Sequence, residues 1–241
     1  MSVSTIAIVA VIIFISTLTR STLGFGDGLL GMPLLTMVIG IEAATPLIAF
    51  VATTIAVIIL RSNWHQVDIR IAWRLIISSL VGIPVGLFLL TNIPDTIVKS
   101  ALGVVLIMFG LYNWFTPKLP ELQDERYAYI FGFVAGVLGG AYNTNGPPVV
   151  IYGTLRRWPP GLFRATLQAY FFPTGFMILL GHGVAGLWTR DVIILYACVL
   201  PVVVLAIWLG GTLIQHIATE QFSRAVYGFL VFIGTAIIIN G

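Results

Sequence analysis

Two glycine- and proline-rich breaks carry the residues of this chain that are best suited to chemistry. The first break reads GFGDGLLGMP over residues 24–33, and the second reads LGGAYNTNGPP over residues 138–148. Because glycine and proline weaken helices, we expect one helix to end and another to begin at each break. A helix start leaves backbone N–H groups unpaired and carries a positive partial charge, and glycine lets a ligand approach that backbone closely. The chemistry predicted at both breaks is the binding of an anion.

Two charged residues accompany the first break. Arg20 precedes it by about one helical turn, and Asp27 lies inside it. The guanidinium could grip a sulfonate, carboxylate or phosphate through two parallel hydrogen bonds, or it could form a salt bridge with Asp27 that only pins the hairpin. Asp27 could also carry a coupling proton or cap the new helix as an N-terminal acid. The sequence is compatible with each of these roles.

The second break offers uncharged hydrogen-bond donors. Asn143, Thr144 and Asn145 stand just before Pro147 and Pro148. Proline suits the first turn of a helix, because the N–H group that it lacks has no partner there. We therefore expect a short helix to begin here, with polar side chains around its start.

Polar and aromatic side chains elsewhere in the apolar segments are weaker candidates. Gln168 is the strongest of them, because an amide without a hydrogen-bond partner is costly in an apolar environment. Thr53 and Thr54 could line the same cavity, although threonines in membrane helices more often bond their own backbone. Four aromatic side chains could contact an organic group of a substrate, although aromatics in apolar helices usually pack: Tyr142, Tyr170, Phe171 and Phe172. The predicted substrate-binding residues are Arg20, Gly24, Gly26, Asp27, Gly28, Gly31, Tyr142, Asn143, Thr144, Asn145, Gly146 and Gln168.

No motif of enzymatic or metal chemistry accompanies these residues in the sequence. There is no GxxxxGK[ST] loop, no HExxH and no GxSxG. No histidine is spaced from another histidine or from the single cysteine, Cys198, as metal ligands are. We therefore expect a protein that is not an enzyme and that needs neither a metal nor a cofactor.

The elements that must position the two breaks are membrane helices. The 241 residues are 59% hydrophobic and only 9% charged, whereas soluble domains carry about a quarter charged residues. The apolar runs reach the length of about 20 residues that crosses a bilayer as a helix. The net charge is only +3, and the basic residues are spread over many loops, which argues against nucleic acid as a partner. The apolar segments are 4–23, 28–40, 43–60, 71–90, 96–115, 127–140, 147–155, 163–182, 191–214 and 222–240.

An internal duplication is indicated by the order of glycines and prolines. At an offset of 115 residues, Gly24 corresponds to Gly139, and Gly31 and Pro33 correspond in turn to Gly146 and Pro148. The most polar stretch, TPKLPELQDER at 116–126, lies between the halves. We predict an all-α integral membrane protein with two inverted-topology repeats, each a broken-helix hairpin plus three transmembrane helices. The predicted boundaries are 1–115 and 127–241, joined by a cytoplasmic linker at 116–126.

The basic residues predict the topology, because they favour the cytoplasmic side in short loops. The loops at 61–70 and 156–163 both carry arginines but are not equivalent in the two halves, so the halves must be inverted if both loops are inside. Lys99 and Arg190 are then the only basic residues outside, apart from the deep Arg20. Both termini are predicted to be non-cytoplasmic, in the cell inner membrane. The basic residues placed inside are Arg61, Arg70, Arg74, Lys118, Arg126, Arg156, Arg157, Arg164 and Arg224.

The lengths of the segments after the breaks predict where the site lies. Segment 147–155 would be only about 13 Å long, too short for a hydrocarbon core of about 30 Å. Each half is therefore expected to hold a hairpin that enters the membrane, breaks and returns. Because the halves are inverted, the tips at 24–31 and 140–147 should meet around the midplane. Broken helices paired across an inverted repeat indicate a transport site.

The sequence resembles the sulfite exporter TauE/SafE family. The resemblance is carried by GFGDGLLGMPLL in the first half and by LGGAYNTNGPPVVIY and FRATLQAYFF in the second, and it extends over nearly the whole chain. It implies a membrane permease for sulfur-containing oxyanions and organosulfonates such as sulfite, sulfoacetate or aromatic sulfonates. Asp27 stands where the family motif usually has glycine, and Tyr142 and Asn143 stand where it often has small residues.

Three other functions are weighed against this one. A permease for another small anion, such as a carboxylate, would use the same kind of site. A membrane enzyme acting on lipid or isoprenoid phosphates would need clustered acids, a metal site or an activated nucleophile. A membrane subunit without transport activity would gain nothing from two matched helix breaks. The expected partners are a small anionic substrate and membrane lipid, and the small size of the chain is compatible with a homodimer.

Overall fold

The computed structural model describes residues 2–63, 69–115, 121–213 and 219–240, which form ten helices and no strand. Each helix corresponds to one of the predicted apolar segments, so the all-helical prediction is confirmed. The helices are α1 (Val3–Leu23), α2 (Asp27–Ile39), α3 (Ile41–Asn63), α4 (Ile69–Asn92), α5 (Asp95–Phe115), α6 (Tyr127–Tyr142), α7 (Gly146–Leu155), α8 (Pro160–Val184), α9 (Arg190–Leu213) and α10 (Thr219–Asn240).

Length and composition identify four helices of the described part that could cross a membrane. Their apolar spans have mean hydropathies of 2.0 to 2.9. Large apolar side chains such as Phe88, Met108 and Trp208 are exposed on the outer faces, as expected where lipid replaces water. The chain is therefore a multi-pass membrane protein. The four spans are Val3–Leu23, Ile41–Arg61, Ala72–Asn92 and Arg190–Thr212.

Both predicted breaks interrupt the helices where glycine or asparagine takes a left-handed conformation. α1 ends before Gly24, whose φ of 87° turns the chain and whose N–H donates to the carbonyl of Arg20. Gly26, with φ of 109°, caps the start of α2. α6 ends before Asn143, whose φ is 53°. A left-handed backbone favours glycine and tolerates asparagine, which explains why these residues stand at the breaks.

The helices that follow the breaks are short. α2 has 13 residues and α7 has 10, so they extend about 20 Å and about 15 Å. Neither can cross a hydrocarbon core of about 30 Å alone. α2 packs against α1 and α3, and α7 packs against α6 and α8, so that Met32, Leu35 and Val149 are fully enclosed.

Glycines let several helices pack with their backbones in close approach. A Cβ on Gly86 of α4 would overlap the backbone of Val137 in α6, and one on Gly136 of α6 would overlap the backbone of Ser79. A Cβ on Gly103 of α5 would come within 2.7 Å of the carbonyl oxygen of Gly234 in α10. Small residues at such crossings are the usual means of helix association in membranes. α1 packs on α9, and α3 packs on both α8 and α9.

Ion pairs join three elements at one end of the helix assembly. Glu125, in the described part of the predicted linker, pairs with Arg74 at the start of α4 and with Arg156 at the end of α7. The N–H of Leu122 also donates to the carbonyl of Leu155. The end of α7 and the start of α4 therefore lie on the same face of the protein. The remainder of the predicted linker, with Lys118, falls outside the described residues.

Candidate functional site

The two breaks lie against each other and border one small cavity. A Cβ built on Gly28 would overlap the backbone carbonyl oxygen of Asn143, so the two tips touch through their backbones. The cavity measures about 10 Å³, roughly the space of one water molecule. Its lining residues are Gly26, Asp27, Gly28, Leu29, Asn143, Thr144, Asn145, Gly146 and Phe171.

Two helix starts point at this cavity. α2 begins at Asp27 and α7 begins at Gly146, and both residues line the space. The first N–H groups of a helix have no partner within that helix, and they carry its positive partial charge. The start of α2 can offer several such donors, whereas the start of α7 offers fewer, because Pro147 and Pro148 have no N–H. A position beside two helix starts favours a negatively charged oxygen cluster.

Arg20 and Asp27 form a buried ion pair across the first break. Nη1 of Arg20 lies 2.7 Å from Oδ2 of Asp27, and the Arg20 side chain is only 3% exposed. Among the described residues, Nε and Nη2 of Arg20 have no hydrogen-bond partner. The guanidinium carbon lies 4.8 Å from the centre of the Phe171 ring. The salt bridge that the sequence offered as one role of Arg20 is thus present, and the opposite edge of the guanidinium is unused.

Gln168 supports the first break from α8. Its Nε2 donates to the carbonyl of Gly24 at 3.3 Å, across 144 residues of sequence. Its Oε1 has no partner among the described residues. Gln168 therefore acts on the turn between α1 and α2 and lies behind the cavity wall.

The asparagines of the second break are held by the protein itself. Nδ2 of Asn143 donates to the backbone carbonyl of Thr45 in α3 at 2.6 Å. Nδ2 of Asn145 donates to the hydroxyl of Thr174 in α8 at 3.3 Å. These bonds fix the position of the second tip and engage one of the two N–H donors of each amide in this conformation.

One face of α8 supports both tips and the wall between them. Gln168, Phe171 and Thr174 recur at intervals of three residues, so they lie along one side of the helix. They contact the first tip, the cavity and the second tip respectively. Sequence reasoning did not select Thr174 or Thr45. The position of Thr174 six residues after Gln168 in the same helix was a signal that could have identified Thr174.

Five predicted site residues do not line the cavity. Gly31 packs against α3, where an added Cβ would lie 2.6 Å from Cδ1 of Ile48. Tyr142 is buried at the end of α6. Gly24 forms the turn of the first break itself, while Arg20 and Gln168 contact that break from α1 and α8. The five residues are Arg20, Gly24, Gly31, Tyr142 and Gln168.

Thr53 and Thr54 belong to a different crevice between α3, α8 and α9. This crevice measures about 240 Å³ and is lined mostly by apolar groups. Both hydroxyls donate to their own helix, at the carbonyls of Ala49 and Phe50, as membrane threonines usually do. The hydroxyl of Thr54 also lies 2.7 Å from that of Tyr196. Neither threonine lines the cavity between the tips.

Comparison with known proteins gives a consistent family. A family model described as sulfite exporter TauE/SafE matches residues 8–237. A protein from Cupriavidus necator named probable sulfite/organosulfonate exporter TauE is 24% identical over 234 residues, covering 92% of this chain and 90% of that protein. A probable membrane transporter protein from Haemophilus influenzae is 32% identical over 81 residues, 33% of this chain and 32% of that protein. No solved structure matches significantly.

Proposed function

The chain belongs to the sulfite exporter TauE/SafE family, and from that premise we propose that it is a membrane permease for small sulfur-containing anions, namely sulfite or organosulfonates. The relative from Cupriavidus necator carries this substrate class in its name and aligns over nine-tenths of both chains. The family does not locate the substrate within the protein. The two helix breaks supply a location.

The observation that carries the proposal is the convergence of two half-helix starts on one buried cavity. The starts at Asp27 and Gly146 each bring a positive partial charge to it, and most of the spare N–H groups are those of α2, because Pro147 and Pro148 of α7 have none. Sulfite and sulfonates present three oxygens that share negative charge, so they can accept hydrogen bonds from both starts at once. Burial strengthens these interactions, because water no longer screens them.

The packing of the helices supports two structural repeats, residues 1–115 and 127–241. If α1 to α5 are exchanged in order with α6 to α10, the contact of α4 with α6 becomes that of α9 with α1, and both contacts exist. The contacts of α3 with α8 and of α5 with α10 map onto themselves. Such an exchange is expected of repeats related by a twofold axis.

The ion pairs of Glu125 support the proposed topology. Arg74 and Arg156 both contact this carboxylate, so the loops that they flank lie at one face. The distribution of basic residues assigned both loops to the cytoplasm on independent grounds. We propose accordingly that both termini are on the non-cytoplasmic side of the inner membrane.

The cavity is too small for the substrate in this conformation. Sulfite has four heavy atoms, whereas about 10 Å³ holds roughly one water molecule. Binding therefore requires a wall of the cavity to move, as gating does in transporters built from broken helices. Closure around a small site is what a permease needs if the anion is to be shielded while it changes sides.

Uptake of radiolabelled sulfite into liposomes that contain the purified chain tests the proposal. We expect uptake above that of empty liposomes, and we expect unlabelled methanesulfonate to compete better than acetate. Better competition by acetate would instead favour a carboxylate permease. Gly211→Ala is a matched control, because a Cβ at this position meets nothing within 4 Å. Absence of sulfite and sulfonate uptake by monodisperse protein would overturn the proposal.

A further inference from the structure

Arg20 has an unused edge that is shaped for an anion. Nη1 is engaged with Asp27, while Nε and Nη2 have no partner among the described residues, although the side chain is almost fully buried. Nε and Nη2 form the side of the guanidinium that binds two oxygens through parallel hydrogen bonds. A buried donor without an acceptor is costly. The arrangement therefore points to an acceptor that joins Arg20 in another state of the protein.

Phe171 contacts both this cation and the cavity. The guanidinium carbon of Arg20 lies 4.8 Å from the centre of the Phe171 ring. The same ring lines the cavity between the tips, and its Cζ would lie 3.6 Å from a Cβ built on Gly146. The ring thus borders the two sets of spare donors, one on Arg20 and the other at the helix starts.

The ring also accounts for the small size of the cavity. The remaining space of about 10 Å³ cannot hold a sulfonate group. If the Phe171 side chain turned away, the volume of a benzyl group would be added between the Arg20 guanidinium and the helix start at Gly146. Asp27 would not repel an anion there at full strength, because its charge is paired with Arg20.

Resting on the proposed function, we propose that Phe171 is a movable wall that determines which sulfonates fit. Its displacement joins the cavity between the tips to the Nε–Nη2 edge of Arg20, and the sulfonate group occupies the combined space. The organic part of a larger sulfonate then competes with the displaced ring for room. Phe171 therefore favours sulfite and short sulfonates over aromatic ones.

Competition for sulfite uptake tests this role. Full-length protein in liposomes is given radiolabelled sulfite with unlabelled methanesulfonate or benzenesulfonate as competitor. The measured quantity is the half-inhibitory concentration of benzenesulfonate divided by that of methanesulfonate. In Phe171→Ala we expect this ratio to fall on the order of tenfold or more. In Phe171→Trp the ratio moves the opposite way. Phe172→Ala is the matched control, because it removes a ring one position away that is 38% exposed on the outer face.

The outcomes separate this inference from the proposed function. An unchanged ratio in Phe171→Ala with sulfite uptake retained overturns the movable wall and leaves the permease standing. Loss of all uptake by folded Phe171→Ala also overturns it, because removing the wall should open the site. If Phe171→Ala is not recovered from membranes, the same ratio is measured in Phe171→Leu. A shift in the direction expected for Phe171→Ala supports the movable wall, and an unchanged ratio overturns it. Failure of the unchanged protein to take up sulfite is a failure of the proposed function.

Discussion

The α-carbon of Gly28 at the start of α2 faces the backbone carbonyl of Asn143 at the end of α6, and there is no room for a Cβ between them. The two halves of the chain thus meet backbone to backbone at this point. A residue with a side chain at position 28 would force the tips apart. The cavity beside this contact, about 10 Å³ in volume, depends on it for its shape.

Gly28→Ala and Gly146→Ala are expected to differ sharply in stability. Alanine at position 28 overlaps backbone that cannot turn away, which costs about 1–3 kcal/mol or more as overpacking. Alanine at position 146 finds ordinary contact, 3.6 Å from the Phe171 ring, and should fold normally. Sulfite binding should fall in both, because the methyl group at 146 occupies space before the α7 start. Thermal unfolding in detergent and sulfite binding measure the two effects. Equal melting temperatures for the two variants would contradict the backbone contact.

This contrast adds a second role to the one that the sequence predicted for Gly28. The motif predicted a glycine that lets a ligand approach the backbone. The structure gives Gly28 a contact with the opposite tip, and it leaves Gly146 as the better example of open backbone. A single sequence shows that a position lacks a side chain. It does not show which neighbour requires this.

Asn143 is expected to tolerate glycine better than alanine. Its φ of 53° is left-handed, a conformation that costs alanine about 1–2 kcal/mol and costs glycine little. Both variants lose the hydrogen bond to the carbonyl of Thr45, so that loss cancels in the comparison. Chemical or thermal unfolding of the two variants measures the difference. A greater stability of Asn143→Ala than of Asn143→Gly would show that the left-handed turn is not formed.

The sequence predicted the breaks correctly and the uses of their side chains only in part. Apolar runs and glycine–proline clusters are local signals, and both helix interruptions follow them closely. The partners of Asn143 and Asn145 lie 98 and 29 residues away, so no local pattern identifies them. The charge of Arg20 within an apolar segment identified it as a candidate site residue, because such a charge is costly in a membrane. Its pairing with Asp27 and its unused edge depend on how the tips pack.

Cysteine labelling is expected to place the ion-pair cluster inside and the loop before α9 outside. Glu121 is described on the same segment as Glu125, and Asp191 is exposed at the start of α9. In a chain with Cys198→Ala, an impermeant thiol reagent added to intact cells should label Asp191→Cys. It should label Glu121→Cys only after the membrane is permeabilised. The reverse pattern would invert the proposed topology.

Removing the Arg20–Asp27 pair one residue at a time is expected to harm the fold more than removing both. Asp27→Leu leaves a buried guanidinium without its counter-ion, and Arg20→Leu leaves a buried carboxylate, at a cost of about 3–5 kcal/mol each. The double variant buries neither charge, so it should unfold at a higher temperature than either single variant. Thermal unfolding in detergent is the measurement. A double variant less stable than both single variants would show that the pair is not coupled in this way.

The same double variant separates the two roles of Arg20. If Arg20 only pins the hairpin, relief of the charge imbalance should restore sulfite uptake together with the fold. We expect the fold to recover without uptake, because the Nε–Nη2 edge that donates hydrogen bonds to the anion is gone. Arg20→Lys provides the matching case, since lysine keeps the charge for Asp27 but loses the planar fork. It should remain folded and bind sulfite more weakly. Uptake by the double variant at the level of the unchanged protein would reduce Arg20 to a purely structural residue.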